Sequence, residues 1–357
     1  MSRMTSRARL ARIGVVAVAM VQIGCGVSRH GHDAAGDPPK PVRAVAETFV
    51  TTDAAVDADD PALWADTRDV SRALLFGTDK SDGLYVHDLD GSVRAFFPDG
   101  PLNNVDLRDG FAVDGRARVL VAASDRRQFG IRAYLLDPET LSVERYGFIA
   151  TDIGEPYGFC LGRMGDRIYA IIGNKDGVLQ QVRIDATTQG PVGTVVRTLQ
   201  LGSQTEGCAV DDDARHLYVG EEDVGVWRFD FHPEAGIEPL AVARVDNHRI
   251  RADVEGLALL QDGKEKYLIV SSQGDSTFPV YRIAGSRHEY VGRFTVVAGD
   301  RIDAVTETDG VSAWSGPIGR YPNGLIAMHD DEDEPHAGQQ NYKLVDWRDV
   351  KQALGLP

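Results

Sequence analysis

Six stretches of this chain are similar, and an acidic or polar side chain recurs at the same point in most of them. The six stretches begin at Asp60, Asn104, Tyr157, Glu206, Glu255 and Asp309. Successive starts lie roughly 45 to 55 residues apart, which is the length range of a propeller blade. In a ring of such repeats, the first strand of every blade faces one central channel. The spacing therefore predicts that carboxylates from separate repeats converge at one place.

A second polar register follows the predicted second strand of each repeat. It comprises residues 78–80, 124–126, 174–176, 221–223, 272–274 and 329–331. Asp, Asn, Ser and Gly favour turns, so turn formation is an alternative explanation for each site. Turns do not require the cations Lys80, Arg126 and Lys175, however. If the first two strands of a blade are antiparallel, both registers lie at the same mouth of the channel.

The acidic residues of these registers predict metal binding. Carboxylates crowded together raise one another's pKa unless a positive charge intervenes. Oxygen ligands without His or Cys suit Ca²⁺, and neighbouring amides can complete its shell. We therefore expect several Ca²⁺ ions, held by ligands from different blades. The candidates are Asp59, Asp60, Asn103, Asn104, Asp106, Glu206, Glu222, Asp253, Glu255 and Asp309.

The three cations of the second register indicate an oxyanion pocket beside the metal. Arg126 can bind a phosphate through two parallel hydrogen bonds, while Lys80 and Lys175 act as point charges. Tyr157 can add a hydroxyl donor. The alternative is that the cations only balance neighbouring acids. With metal present, this combination suits hydrolysis of a phosphate ester by activated water.

The elements that must position these residues are short β-strands. In the first repeat, residues 62–64, 73–78, 84–88 and 93–97 are four strand candidates separated by turn dipeptides. The sixth repeat is one strand short, and residues 45–51 have the composition to supply it. Only residues 350–354 resemble a helix. We predict an all-β, six-bladed β-propeller closed by pairing of its N- and C-terminal strands, with a β-sandwich array as the alternative.

The N-terminal residues differ from the rest. An apolar run over 13–23 follows four arginines, Arg3, Arg7, Arg9 and Arg12. This pattern is typical of an export signal, since the run is too short to span a bilayer. We assign 1–24 to a signal peptide, 25–44 to a flexible tether and 45–357 to the propeller. Gly24-Cys25 is a candidate lipoprotein cleavage site, although Gln22 fits that signal poorly. We thus expect a protein of the periplasm or of the cell exterior, a monomer without a transmembrane domain, with a lipid anchor at Cys25 as an alternative.

The net charge limits the class of binding partner, and the cysteines raise the question of a disulfide. Loss of residues 1–24 removes four arginines and no acid, which takes the formal charge from −16 to about −20. That charge argues against a nucleic-acid partner, which needs a basic surface. Cys160 and Cys208 both fall early in predicted first strands. Export permits a disulfide between them, but we favour two buried thiols.

The motifs together resemble the β-propeller phytases. The resemblance runs in order from about residue 45 to about residue 350 and touches every blade. It is carried by residues 59–64, 77–80, 102–106, 157–159, 203–207, 221–223, 253–257, 271–274, 308–310 and 340–343. It implies a calcium-dependent phosphoric monoester hydrolase of the 3-phytase type. Its substrate would be phytate, myo-inositol hexakisphosphate, taken as the calcium salt and attacked directly by water.

The resemblance also implies roles for individual residues. The catalytic set would be Lys80, Arg126, Tyr157, Lys175, Asp176, Glu206 and Glu222, with Ser81 joining the cations and Tyr157 in substrate binding. Gln273 matches a polar position at the mouth, which we add to the metal ligands. Two departures concern substrate affinity and metal geometry. Ser81 stands where the family often has a second Lys, and Asp176 stands where it often has Glu.

Two other functions remain open at this point. A calcium-dependent propeller lactonase or esterase would also hold metal in the channel, but it needs a mostly apolar substrate pocket. A non-catalytic propeller would bind a partner at one face, and the fold alone does not exclude it.

Overall fold

A computed structural model describes residues 36–48, 57–333 and 339–357. The predicted signal peptide, Cys25 and most of the predicted tether lie outside these residues. Two short strands open the described chain, β1 (Lys40–Val42) and β2 (Ala46–Glu47). Within these ranges no helix has the length and apolar character needed to cross a bilayer.

Six antiparallel sheets follow, each starting with a new strand at the channel. Blade one contains β3 (Ala58–Asp66), β4 (Asp69–Asp79), β5 (Gly83–Asp88) and β6 (Val93–Phe97). Blade two contains β7 (Leu102–Val113), β8 (Arg116–Asp125), β9 (Gly130–Leu136) and β10 (Val143–Ala150). Blade three contains β11 (Pro156–Met164), β12 (Arg167–Asn174), β13 (Val178–Thr187) and β14 (Gly190–Gln200).

The second half repeats this pattern. Blade four contains β15 (Thr205–Asp211), β16 (His216–Glu221), β17 (Gly225–Asp230) and β18 (Leu240–Arg244). Blade five contains β19 (Val254–Asp262), β20 (Glu265–Ser272), β21 (Phe278–Ala284) and β22 (Arg287–Val296). Blade six contains β23 (Val311–Ser315), β24 (Gly324–Asp330) and β25 (Asn341–Asp346). The first strands β3, β7, β11, β15, β19 and β23 contact one another in cyclic order. The predicted six-bladed propeller is therefore confirmed.

The chain ends close the ring as the missing strand predicted. Strand β2 pairs antiparallel with β25, so Ala46 lies opposite Leu344 and Glu47 opposite Lys343. Strand β1 adds a fifth, parallel strand to blade five by pairing with β22. The prediction of a flexible tether over 25–44 was therefore wrong for residues 40–42, which form strand β1. Residues 40–42 hydrogen-bond in a sheet because the outer edge of β22 offers unpaired backbone groups.

Apolar side chains fill the space between adjacent blades. In β12, Ile168 and Ile172 pack into the core shared with blade two, whereas Tyr169 and Ile171 pack into the core shared with blade four. Successive residues of a strand point to opposite faces, so one strand serves two cores. This explains why the central strands are apolar throughout instead of alternating.

A single helix, α1 (Trp347–Leu354), follows the last strand, as the sequence predicted. The Asp346 side chain caps it by accepting a hydrogen bond from the Arg348 backbone, and Gly355 ends it in the left-handed conformation. Trp347 and Val350 are buried in the core between blades five and six.

The expectation of two buried thiols at Cys160 and Cys208 was wrong. The two residues form a disulfide between β11 and β15, with 5.6 Å between their Cα atoms. Both strands line the channel, and they contact each other. The cysteines thus reach the same level of neighbouring blades, which a sequence separation of 48 residues does not reveal.

Candidate active site

The two polar registers meet at one end of the channel. The antiparallel pairing places Ala58 opposite Asp79, Leu102 opposite Asp125, Thr205 opposite Glu221 and Val254 opposite Ser272. The end of each second strand therefore lies beside the start of the first strand. This geometry gathers side chains from all six blades at one mouth.

Glycines allow the first strands to approach closely at this mouth. A side chain at Gly158 would meet the backbone of Glu206, and one at Gly207 would meet the Glu255 carbonyl oxygen at 2.0 Å. Gly256 packs in the same way against the next strand, where its backbone N–H donates to the Asp309 carbonyl at 2.8 Å. Only residues without a Cβ permit such contacts. These glycines therefore bring the neighbouring acids together.

Three glutamates from blades four and five form the acidic centre. One carboxylate oxygen from each of Glu206, Glu222 and Glu255 lies within 4.8 Å of the others. Burial raises the pKa of Glu255 well above its usual range, and Glu206 adds to the rise. Burial also raises the pKa of Glu222 to about 7, against a hydrogen bond from Gln204 that lowers it.

A second acidic group surrounds Lys80. Its Nζ lies 2.7 Å from Asp309 Oδ2 and 3.1 Å from Asp59 Oδ1. Burial disfavours the ammonium, but Asp59 and Asp309 together raise the pKa of Lys80 above its usual value. Asp59 is buried, and desolvation raises its pKa even though Lys80 opposes the rise. Gln273 donates its side-chain amide to Asp309, which holds the carboxylate toward Lys80.

The other two cations stack on one aromatic ring. Lys175 Nζ lies 4.5 Å from the centre of the Tyr157 ring, and the Arg126 guanidinium carbon lies 5.7 Å from it. Both distances fall within cation–π range. Burial, followed by the charges of Glu206 and Glu255, raises the pKa of Tyr157. Its hydroxyl therefore stays protonated and can donate a hydrogen bond.

The carboxylates fit a divalent cation. Glu255 Oε2 and Asp59 Oδ2 are buried and accept no hydrogen bond from the residues that the structure describes. An unsatisfied buried carboxylate oxygen costs free energy, and a hard cation would satisfy it. The acidic centre can therefore bind metal, with Glu206, Glu222 and Glu255 as the primary candidates.

Asp60 and Asp106 lie in the channel and tie blades together. Asp60 Oδ2 accepts a hydrogen bond from Val105 N at 3.0 Å, and Asp106 Oδ2 accepts one from Leu161 N at 2.8 Å. Asp106 also binds the half-buried Arg108 guanidinium at 3.0 Å. Both aspartates line a cavity of about 160 Å³ together with Asn104. The contacts of Asp106 favour a structural role over the predicted metal binding.

Three further predicted residues, Ser81, Asp176 and Asp253, sit at the rim. Ser81 and Asp176 are exposed, and their backbone N–H groups donate to Asp79 and Asn174 within the turns that carry Lys80 and Lys175. Asp253 is half-buried, and burial followed by the charge of Asp223 raises its pKa.

Sequence reasoning missed three residues that contact the site. Gln204 donates to Glu222 Oε1 at 2.6 Å, and Glu155 accepts from Arg126 at 2.8 Å. The fully buried His329 accepts a hydrogen bond from the Asp309 backbone N–H at 3.2 Å. Glu155 and Gln204 each lie two residues before a predicted site residue, Tyr157 or Glu206. Gln204 also falls within the stretch 203–207 that carries the family resemblance, and His329 falls within the second polar register, but the sequence did not assign either of them a role in the site.

A third acidic group, which the sequence did not predict, surrounds Lys343 where the ring closes. The fully buried Lys343 places its Nζ 3.1 Å from Glu47 Oε2, 2.5 Å from Asp303 Oδ1 and 2.9 Å from Asp330 Oδ2. Its ammonium thus partly neutralises several carboxylates, which come from distant parts of the sequence. This cluster joins β2 to blade six.

Comparison with known proteins agrees with this geometry. A family model described as Phytase matches residues 10–356. The 3-phytase of Bacillus subtilis (strain 168) is 35% identical over 311 residues, which cover 84% of this chain and 81% of that protein. The match spans all six blades and both polar registers. The chain therefore belongs to the β-propeller phytase family.

Proposed function

We propose that the protein is a calcium-dependent phytase that removes phosphate groups from phytate by attack of water. The observation that carries the proposal is the meeting of three glutamates with Lys80, Arg126 and Lys175 at one mouth. Acids alone would repel phytate, and cations alone would not need buried carboxylates. A site with both suits a multiply charged phosphate ester together with a divalent metal.

The cations and Tyr157 have the task of binding the phosphate. The charges of Arg126 and Lys175 both lie beside the aromatic ring of Tyr157, while Lys80 reaches the site from blade one. The Tyr157 hydroxyl can donate to a phosphate oxygen. Because these groups come from three blades, the rigid ring fixes their separation before the substrate arrives.

The carboxylates have the task of holding calcium. Glu206, Glu222 and Glu255 would hold the ion, with Asp59 and Asp309 near Lys80 as further ligands. Bound calcium would polarise the phosphoryl group and lower the pKa of the attacking water. Without metal, burial raises the pKa of Glu222 to about 7. A cation bound at this carboxylate would oppose that rise and keep the ligand charged.

The charged lining of the mouth favours a phytase over a lactonase. A lactone substrate has no formal charge and needs an apolar pocket, whereas this mouth carries three cations within the described residues. The proposal thus predicts turnover of phytate and none of a simple lactone.

Glu222→Gln tests the enzymatic proposal directly. The variant keeps the shape of the side chain but loses its charge, so phosphate release from calcium phytate should fall by about 10² to 10³. Glu144→Gln, on the exposed outer strand of blade two, is the matched control. Equal activity of both variants would refute the role of Glu222. Absence of phytate hydrolysis by the unmodified protein would refute the proposed function itself.

We also propose that the protein acts outside the cytoplasm. The basic and apolar N-terminal pattern supports export, and the Cys160–Cys208 disulfide suits an oxidising compartment. A periplasmic or secreted location follows, and the lipid anchor at Cys25 and the monomeric state stay predictions. Mass spectrometry of the mature N-terminus distinguishes cleavage before Cys25 from cleavage elsewhere.

A further inference from the structure

We infer that Asn103 is a positioning residue that joins the acidic centre to the phosphate-binding arginine, and that it is not a metal ligand. The inference rests on the proposed function, since it assigns a role within the same site. Asn103 is fully buried. Its Nδ2 donates to Glu206 Oε1 at 2.7 Å, and its Oδ1 accepts from Arg126 Nη1 at 3.4 Å.

The contacts fix the orientation of the Asn103 amide. Its Nδ2 faces two oxygen atoms, Glu206 Oε1 and Asn104 Oδ1, the latter at 3.1 Å. Its Oδ1 faces a guanidinium group. Rotating the amide by half a turn would oppose oxygen to oxygen and N–H to N–H. The observed orientation is therefore the one that the neighbours can satisfy.

This orientation argues against metal binding by Asn103. A side-chain amide coordinates a cation only through its oxygen. Here that oxygen lies beside the Arg126 guanidinium, whose positive charge would repel a second cation. The amide is instead suited to hold Glu206 on one side and Arg126 on the other.

Arg126 is held from both sides. Its Nε and Nη2 donate to Glu155 Oε1 at 2.9 and 2.8 Å, while Nη1 reaches Asn103. Glu155 is exposed, whereas Asn103 is buried. Asn103 therefore connects the guanidinium to the acidic centre beneath it. A cation that binds Glu206 and a phosphate that binds Arg126 would both depend on the same amide.

Asn103→Leu keeps the approximate volume and removes the contacts with Glu206, Asn104 and Arg126. We expect the dissociation constant for calcium, measured by calorimetry without any anion, to rise roughly tenfold, the scale of one hydrogen bond to a charged group. The dissociation constant for myo-inositol hexasulfate, a non-hydrolysable analogue, should rise by a similar factor at saturating calcium. Gln181→Leu is the control. It removes another buried amide, on β13 of blade three, which donates to the Phe231 carbonyl, and it should change neither constant.

A double-mutant cycle tests whether Asn103 acts through Arg126. In an Arg126→Ala background, Asn103→Leu should weaken analogue binding less than twofold, while its effect on calcium binding persists. Additive effects on the analogue would overturn the inference. So would a variant that loses calcium affinity alone, because that result identifies a simple metal ligand.

Two features keep this test separate from the proposed function. Neither constant requires turnover, so the cycle is informative even if phytate is not hydrolysed. If Asn103→Leu does not fold, Asn103→Ala leaves space for water at the same contacts and is measured instead. Unchanged binding of calcium and analogue by Asn103→Ala would also overturn the inference.

Discussion

At the scale of single residues, Lys80 shows how closely cations and acids are combined. Three carboxylates contact its ammonium: those of Asp59 and Asp309 at 3.1 and 2.7 Å, and that of Asp57 at 3.7 Å. Asp59 is almost completely buried, so its charge depends on this lysine or on a bound metal. Lys80 thus stabilises the acidic site, and we propose that it also binds the substrate.

Lys80→Met should therefore harm both stability and activity. It leaves Asp59 and Asp309 without their cation, and such a loss from a buried pair costs about 3 kcal/mol. Urea unfolding without metal measures this loss, and phosphate release from calcium phytate measures activity. Lys80→Arg keeps the charge and is the control. A methionine variant as stable as the arginine variant would contradict the role of Lys80.

At the scale of the strand, the site depends on how closely the blades approach. Gly207 follows Glu206 directly, and its Cα faces the backbone of Glu255 in the next blade. The sequence revealed the repeated acid and glycine but not this contact. A repeat can be recognised from one chain, whereas the packing of neighbouring repeats depends on distances that only the folded ring defines.

Gly207→Ala should separate β15 from β19. A methyl group at this position would lie 2.0 Å from a backbone oxygen, so the strands must move apart. We expect a loss of about 1–3 kcal/mol in the free energy of unfolding. Calcium affinity should fall as well, because Glu206 and Glu255 move with their strands. Gly236→Ala, where a Cβ has open space, should change neither quantity; equal behaviour of the two variants would contradict this account.

The disulfide links β11 to β15, the two strands that carry Tyr157 and Glu206. Replacing Cys160 and Cys208 by serine should lower the free energy of unfolding by about 2–4 kcal/mol, the usual range for a native disulfide. Urea unfolding of the variant and of the reduced wild type should agree. If reduction leaves the unfolding midpoint of the wild type unchanged, the disulfide has no stabilising role.

At the scale of the whole molecule, six similar units produce one site with opposite charges. The repeat period, the missing strand of blade six and the site-forming registers were all predictable from spacing and residue type. The disulfide, the β1 pairing and the Lys343 cluster were not. Each of these joins residues whose partners are set by ring closure, which local patterns do not encode.

The interface between blades four and five predicts a pH dependence of stability. Burial, followed by the charge of Arg228, lowers the pKa of His288 to about 4. The unfolded chain takes up this proton near pH 6.5, and the folded protein takes it up only near pH 4. The contribution of neutral His288 is therefore present above pH 6.5 and is lost as the pH falls toward 4.

His288→Gln should remove this contribution. The free energies of unfolding of wild type and variant are measured from pH 7 to pH 4. The wild-type value minus the variant value should fall by about 1–3 kcal/mol over this range. The buried carboxylates have raised pKa values and act with the opposite sign, but they are common to both proteins. A difference between the two curves that does not vary with pH would contradict the assignment.

The central claim is that divalent cations allow an acidic protein to bind an acidic ligand. Calorimetric titration of the wild-type protein with myo-inositol hexasulfate tests it most directly, first in excess chelator and then with calcium restored. We predict binding at least about 100-fold weaker in chelator, which corresponds to about 2.7 kcal/mol. Equal affinity under both conditions would contradict the account.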